Sequence, residues 1–492
     1  MAGDIETDND ALYIARKKIY PSAVQGYYRR LKWILLFLCL GFYWIAPWIR
    51  WDRGPNAPDQ AILLDLAHRR FYMFAIEIWP QEFYYVAGLL IMAGLGLFLV
   101  TSIAGRAWCG YACPQTVWTD LFMAVERYVE GDRNARIKLD AAPWSATKLR
   151  KRLTVWTLWL LIAASTGGAW VFYFADAPTL LVDLFTLQAA PVAYFTVAFL
   201  TGTTFWLAGF MREQVCTYMC PWPRIQGAML DDRSLIVTYH DWRGEPRSRH
   251  AKKAAASGAD VGDCVDCNAC VAVCPVGIDI RDGQQLECIT CALCIDACDN
   301  VMGKIGKPLG LIAYSNLRDY EDSTVLAAET GRANATRMHK RQSLATLFRP
   351  RTVLYSALLG VIGLGMLYAL LTRQSIDMSV LPDRAPLYVT LSDGSVRNGF
   401  TLKLLNKALE SREFRISLDG IDDAGMWLAD NRSEPARELT VRVQADSVSN
   451  VRVFLLRPEQ HALPADFSFA VQDLKSGETT RVAAHFEAKA SQ

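Results

Sequence analysis

The chain has 492 residues, 52% of them apolar and 21% charged, which is too apolar for a disordered chain and too charged for one wholly embedded in lipid. Its 52 Lys and Arg against 50 Asp and Glu leave a net charge of +2, without the strongly basic domain that nucleic-acid binding requires. Thirteen cysteines, eight of them between Cys264 and Cys298 and none after Cys298, are spread as metal ligands are, not as a disulfide framework.

In chain order, five stretches lack charge for long enough to cross a bilayer: Trp33–Ile49, Phe83–Ala104, Leu153–Ala175, Leu184–Met211 and Val353–Leu371. A span takes about 20 residues, with ~17 as the lower limit. The first meets only that limit, and Lys32 and Arg50 at its ends are expected to snorkel to the interfaces. It is a poor secretory signal, because a long polar segment precedes it and no small-residue cleavage site follows. Residues 71–79 are apolar but too short to cross, and read as interfacial. Positive charge orients the chain. Arg16, Lys17, Lys18, Arg29, Arg30 and Lys32 precede the first span, and nine Lys and Arg lie in 105–152. None lies in 176–183, while His339-Lys340-Arg341 and Arg349-Pro350-Arg351 precede the fifth span. The 51–81 loop is mixed, with Arg53, Arg69 and Arg70 against four acids. An N-in, C-out arrangement follows, with 212–351 in the cytoplasm and 372–492 outside, in a periplasm.

Residues 108–114 read W-C-G-Y-A-C-P and 216–221 read C-T-Y-M-C-P. Both are C-x3-C-P motifs that begin five residues past the end of a predicted span. As a helix, each pair would share a face. With Pro114 and Pro221 opening a helix, each pair would sit in the turn before it. Either way Cys109, Cys113, Cys216 and Cys220 can converge if spans two and four pack together. Thiolates select Cu(I), zinc or iron–sulfur species, and Met211 and Met219 add possible thioether ligands. The alternative is that these cysteines are small buried apolar groups. Lone Cys39 is read as packing. The chain has six histidines and none in a predicted span, so no haem with axial histidines between helices is expected; His68, beside Arg69 and Arg70, reads as interfacial.

Residues 264–275 and 288–299 each carry C-x2-C-x2-C-x3-C, the two-cluster ferredoxin spacing. Three closely spaced thiolates wrap one iron–sulfur cube, and the remote cysteine of the other run closes it. Cys264, Cys267, Cys270 and Cys298 are therefore assigned to one [4Fe–4S] cluster, and Cys288, Cys291, Cys294 and Cys274 to the other. Pro275 follows the first run, whereas Asp299 stands where the second would repeat it. Structural zinc also uses C-x2-C pairs but has no use for the third cysteine and the fourth beyond it.

From Arg384 the apolar pattern has period two. Leu387–Ser392, Gly399–Leu405, Glu413–Leu418, Arg437–Val443, Asn450–Leu456, Asp466–Asp473 and Thr479–Phe486 read as strands of an antiparallel sandwich of immunoglobulin type without a disulfide. No catalytic constellation lies in it, and it reads as a docking module. The predicted organisation is a polytopic α-helical membrane protein of about five spans with a cytoplasmic ferredoxin-like domain and a C-terminal all-β sandwich. Its segments are 1–32, an N-terminal cytoplasmic stretch; 33–211, four spans; 212–351, the ferredoxin-like insert; 352–371, the fifth span; and 372–492, the sandwich.

Taken together, Gly105–Asp120, Glu213–Asp232, the tandem ferredoxin runs, the 69–81 segment ending Ile78-Trp79-Pro80-Gln81 and the C-terminal sandwich resemble the cytochrome c oxidase accessory proteins known as CcoG, FixG or RdxA. The C-x3-C-P pairs alone are shared with other membrane polyferredoxins; the sandwich after span five favours the oxidase-accessory branch. The resemblance implies a bacterial inner-membrane protein that reduces Cu(II) to Cu(I) for assembly of cbb3-type oxidase. It also implies copper chaperones, transporters or assembly factors as partners, and leaves the electron donor unknown. On that reading Cys109, Cys113, Cys216 and Cys220 bind copper during its reduction. A metal-handing chaperone without redox chemistry is a second reading, opposed by the ferredoxin insert. A quinol- or quinone-linked oxidoreductase is a third. Redox dependence separates the first two, and a quinone titration separates the first and third.

Overall fold

The computed structural model describes residues 18–488 except 56, 251–257, 259, 339–348, 409 and 462. Arg16, Lys17 and the His339-Lys340-Arg341 run lie outside the described residues. The chain divides into two compact units. One holds the first four spans, the cysteine-rich segments and the chain up to Leu364; the other comprises Arg50–Ala61, Phe74–Ile76 and Gly365–Gln492.

Among the described residues, five helices are long and apolar enough to cross a membrane: Tyr27–Trp48, Pro80–Ala104, Ala146–Val171, Pro191–Met211 and Pro350–Leu371. Two expectations need correction. The first helix starts before Lys32, and Lys32 does not snorkel: it is 2% exposed, with Nζ 3.8 Å from Asp120, which Arg29 also grips through two 2.8 Å hydrogen bonds. A cation buried this deeply needs its carboxylate partner, since either charge left alone would be desolvated without compensation. The stretch from Leu184 is not one span. A helix, Ala177–Phe185, ends there, Leu187 takes a left-handed φ of 61°, and the span starts at Pro191, whose fixed φ suits a first helical position.

Residues 71–79, read as interfacial, fold as two short strands joined by a turn at 74–75. Ile62–Asp65 pairs antiparallel with Arg70–Met73, and Ile76–Ile78 follows. The Arg70 guanidinium lies 3.8 Å above the Trp79 ring, so the loop is tied down by its own side chains.

The cysteine-rich insert is framed by Ile236–Tyr239 paired antiparallel with Ile312–Ser315. Between these strands come the short helix Ala269–Val273 and the longer Leu293–Ile305. Asp296 on the latter accepts the backbone N–H groups of Tyr28 (3.2 Å) and Arg29 (2.7 Å) at the start of the first span. Those first-turn donors have no partner within their own helix, and an acid there also complements the helix dipole. Ser22 N–H bonds Ala272 O at 2.8 Å, so the segment before the first span lies against the insert.

The second unit carries a β-sandwich. One sheet runs Asn431–Ala436, Gly425–Leu428, Ser447–Arg457, Val396–Asn406, Ile376–Pro382; the other runs Glu438–Val443, Arg412–Asp419, Ala465–Asp473, Thr479–Phe486. Inward residues of both sheets, including Phe400, Phe414, Phe469 and Phe486, are at most 1% exposed. Each is worth about 1.5–3 kcal/mol of burial. Three of these strands, Ile376–Pro382, Gly425–Leu428 and Asn431–Ala436, are additions to the predicted set, and Leu387–Ser392 shrinks to Val389–Thr390.

Candidate redox site

The two ferredoxin runs fold alike. The residues just before and after the second cysteine of each run, Asp266 and Asn268 in the first and Thr290 and Ala292 in the second, all have left-handed φ between 48° and 59°. Such a conformation costs roughly 1–2 kcal/mol at a non-glycine residue and is kept only where the surroundings demand it. Here it curls each run around a cavity. Cys264, Cys267, Cys270 and Cys298 line one, with Tyr239, Met302 and Ile312. Cys274, Cys288, Cys291 and Cys294 line the other, with Ile280 and Ile289; Cys270 borders both. Cys294 and Cys298, one turn apart on Leu293–Ile305, face different cavities, so this helix is a shared wall. The structure thus groups each run's first three cysteines with the remote cysteine of the other.

Burial pushes the thiols of Cys270 and Cys288 up to about 11 and those of Cys274 and Cys298 up to about 12, and it lifts Cys294 well above the ordinary range. As bare side chains they are neutral. Only a cationic core makes four buried thiolates stable together, which is what an iron–sulfur cube provides. Among the described residues no three His, Cys, Asp or Glu side chains are gathered at the spacing of a single metal ion. The cysteines ring the cavities, and the residues fit clusters.

The C-x3-C-P motifs are a second repeat. Gly105 (φ 59°, ψ −129°) and Arg212 (φ 42°, ψ −110°) close spans two and four with nearly the same backbone. A Cβ at Gly105 would sit 2.1 Å from Leu235 O, which explains the glycine there. Each is followed by a π-helical turn, Trp108–Ala112 and Val215–Met219, closed by Cys113 N–H to Trp108 O (2.9 Å) and Cys220 N–H to Val215 O (2.8 Å). Of the two geometries open to the sequence, the first motif adopts the turn before a helix opened by its proline, while in the second the proline stands one residue before the helix. Pro114 then opens the helix Pro114–Glu130, and Pro221 precedes Trp222–Met229. Gln115 joins the two turns, donating from Nε2 to Leu207 O (3.0 Å) and Arg212 O (3.3 Å). Cys109, Cys113, Cys216 and Cys220 are brought within electrostatic reach of one another, and burial raises Cys109 to about 12 and Cys216 to about 11. The Cys109 thiol donates to Gln226 Oε1 at 2.9 Å, and Gln226 Nε2 donates to Thr101 Oγ1 at 3.2 Å.

The two repeats meet. A Cβ on Gly110 would lie 2.7 Å from Ile289 O and 3.0 Å from Cys291 Cα, so the first turn rests directly on the second ferredoxin run. Tyr111 Oη donates to Cys291 O (3.2 Å) and lies 3.4 Å from Tyr314 Oη, which donates to Thr290 O (2.7 Å). Burial raises both phenols, so they stay neutral donors. Gly110, Tyr111, Gln226 and Tyr314 were not legible as site residues. The only cue was a tyrosine at the same place in both motifs, Tyr111 and Tyr218.

Comparison with known proteins agrees with this layout. A 4Fe-4S dicluster family matches residues 211–317, a 4Fe-4S binding domain matches 86–127, and a family described as the Ig-like fold at the C-terminus of FixG matches 366–489. Nitrogen fixation protein FixG of Rhizobium meliloti is 55% identical over 98% of this chain and 96% of its own. The chain belongs to the FixG family. Protein RdxB of Cereibacter sphaeroides is 56% identical over 96% of each chain, and Protein RdxA of the same organism 53% over 92% of each. This FixG-family chain is therefore an iron–sulfur electron-transfer protein with membrane-crossing helices and an Ig-like C-terminal domain.

Proposed function

We propose that this chain reduces Cu(II) to Cu(I) for assembly of a cbb3-type cytochrome c oxidase. Cys264, Cys267, Cys270 and Cys298 hold one [4Fe–4S] cluster, and Cys274, Cys288, Cys291 and Cys294 the other. Such clusters, when bound, take up and release single electrons. Cys109, Cys113, Cys216 and Cys220 bind copper during its reduction, two thiolates at a time, since no three of them are gathered at the spacing of one ion. The observation carrying this reading is the seating of the first C-x3-C-P turn on the second ferredoxin run, which sets the four thiols beside a cluster cradle. Thiolates favour Cu(I) over Cu(II), which makes the transfer less costly. Cys109 and Cys216, neutral when bare, release their protons as the metal binds. The chain lies in a bacterial inner membrane with the ferredoxin insert of 212–351 in the cytoplasm and the sandwich of 372–492 in the periplasm. There the sandwich docks copper-handling or oxidase-assembly proteins.

The test uses anaerobically purified protein with its clusters chemically reduced. Cu(II) is added while cluster reoxidation and chelator-trapped Cu(I) are followed together. Matched reoxidation and Cu(I) yield is the expected result. Clusters that stay reduced with copper but reoxidise with a quinone overturn it.

A second reading has its own support: the 4Fe-4S binding family matched over 86–127 includes Cys109 and Cys113. On that reading the four C-x3-C-P thiols hold a third cluster, and copper is reduced beside it. Iron analysis separates the two, at about eight iron atoms per chain for two clusters against about twelve for three.

A further inference from the structure

The two ferredoxin cradles differ in what covers them. Cys267 of the first is exposed to solvent, whereas Cys291 of the second is buried beneath Gly110 and Tyr111. Arg106 stands at that covered junction. It is 4% exposed, its Nη1 donates to Leu286 O, and its Nε and Nη2 find no hydrogen-bond partner among the described residues. A buried guanidinium with two idle nitrogens is costly unless negative charge lies near it. It lines one cavity with Cys288 and Thr290 of the second cradle and stands three residues before Cys109 of the four-thiol site, so one cation sits between both.

We propose that the junction of Arg106, Gly110 and Tyr111 with Cys291 is the electron passage of this protein. Electrons enter at the solvent-exposed Cys267 edge of the first cradle, cross to the second, and leave to the oxidised metal species that the four C-x3-C-P thiols would hold. Gly110 sets the closeness of approach, Tyr111 fixes the register by its bond to the Cys291 carbonyl, and Arg106 stabilises the added negative charge on both sides. These are positioning residues. The inference rests on the electron-transfer reading, but holds whether the four thiols bind copper or a third cluster. Each step moves one electron from a reduced donor through the cradles to an oxidised acceptor, with Cu(II) becoming Cu(I).

The experiment compares wild type with Arg106→Gln, Arg106→Lys, Gly110→Ala and Tyr111→Phe as full-length protein. Iron and sulfide content come first, followed by EPR redox titration of each cluster. Arg106→Gln is expected to lower the potential of the second-run cluster by about tenfold in its reduction equilibrium, about 59 mV for one electron, leaving the first-run cluster unmoved and Arg106→Lys close to wild type. Pre-reduced proteins are then mixed with Cu(II) and, in parallel, with a short-chain quinone, so that failure of the copper reading leaves the passage testable. Gly110→Ala, by pushing the contact apart, is expected to slow discharge severalfold with clusters intact. Tyr111→Phe adds no bulk and serves if Gly110→Ala loses iron. The passage is overturned if the iron-replete variants discharge at the wild-type rate, or if Arg106→Gln shifts both clusters equally.

Discussion

The two C-x3-C-P turns have nearly the same backbone but opposite surroundings. Aligned on their cysteines, Arg106 in the first stands where Glu213 stands in the second, and both are buried. Tyr111 is 8% exposed, while its counterpart Tyr218 is 75% exposed. Asp120, buried against Arg29 and Lys32, corresponds to Gly227, which has no charge to offer. The repeat supplies the shared chemistry, two thiols per turn, and the side chains around it divide the labour. The first turn carries Arg106 and is clamped to the second ferredoxin run. The second carries the buried pair of neighbours Arg212 and Glu213 and leaves Tyr218 open to solvent.

If the thiols are the shared part, Cys109→Ala and Cys216→Ala must be equally damaging. Each is expected to abolish Cu(I) formation while the cluster EPR signals remain, and a difference between them would break the symmetry. Next in size is the clamp. Asp120→Asn leaves Arg29 and Lys32 buried without their partner and is expected to cost about 3–5 kcal/mol, read by thermal unfolding in detergent. Although burial alone would raise the Asp120 carboxyl, Lys32 and Arg29 hold it below the usual carboxylate range. Its contribution is therefore complete above an ordinary aspartate value of ~3.9 and is lost as pH falls through the lower folded value. Wild type should lose stability steeply in that acid window, and Asp120→Asn should lose less.

The charge difference is sharpened by a kinetic split. Arg106→Gln is expected to lower kcat for copper reduction about tenfold with little change in KM, and Glu213→Gln to raise KM for Cu(II) by a similar factor with kcat kept. The same split in both variants would erase the distinction between the turns. The smallest contrast is between the tyrosines. Tyr111→Phe should cost about 1 kcal/mol through its lost bond to Cys291 O, and Tyr218→Phe should stay within about 0.5 kcal/mol.

What the sequence disclosed followed from spacing. Cysteine intervals marked both motifs because ligand geometry is local, and period-two patterning marked most of the sandwich because its faces differ in polarity. Ile376–Pro382 was overlooked although Ile376 and Met378 are buried in alternation, since it follows the fifth span so closely that it reads as a linker. Lys32 was misread because a charge beside an apolar run looks like a membrane edge, and its partner Asp120 lies far along the chain. The contact of Gly110 with Cys291 and the position of Arg106 have no local signature, being created only when distant segments pack.

The bond from Asp296 to the first span has a consequence in time. Tyr28 and its capping carboxylate are 268 residues apart in the order of synthesis. At roughly 5–20 residues per second, the first helix waits on the order of tens of seconds after emerging before the ribosome delivers its cap. Asp296 lies between Cys294 and Cys298, so the helix that completes the first span is the one that contributes cysteines to both cradles. The Tyr27–Trp48 span is thus completed only after the cysteine-rich insert has been made, and a chain that fails to form that insert leaves this helix uncapped.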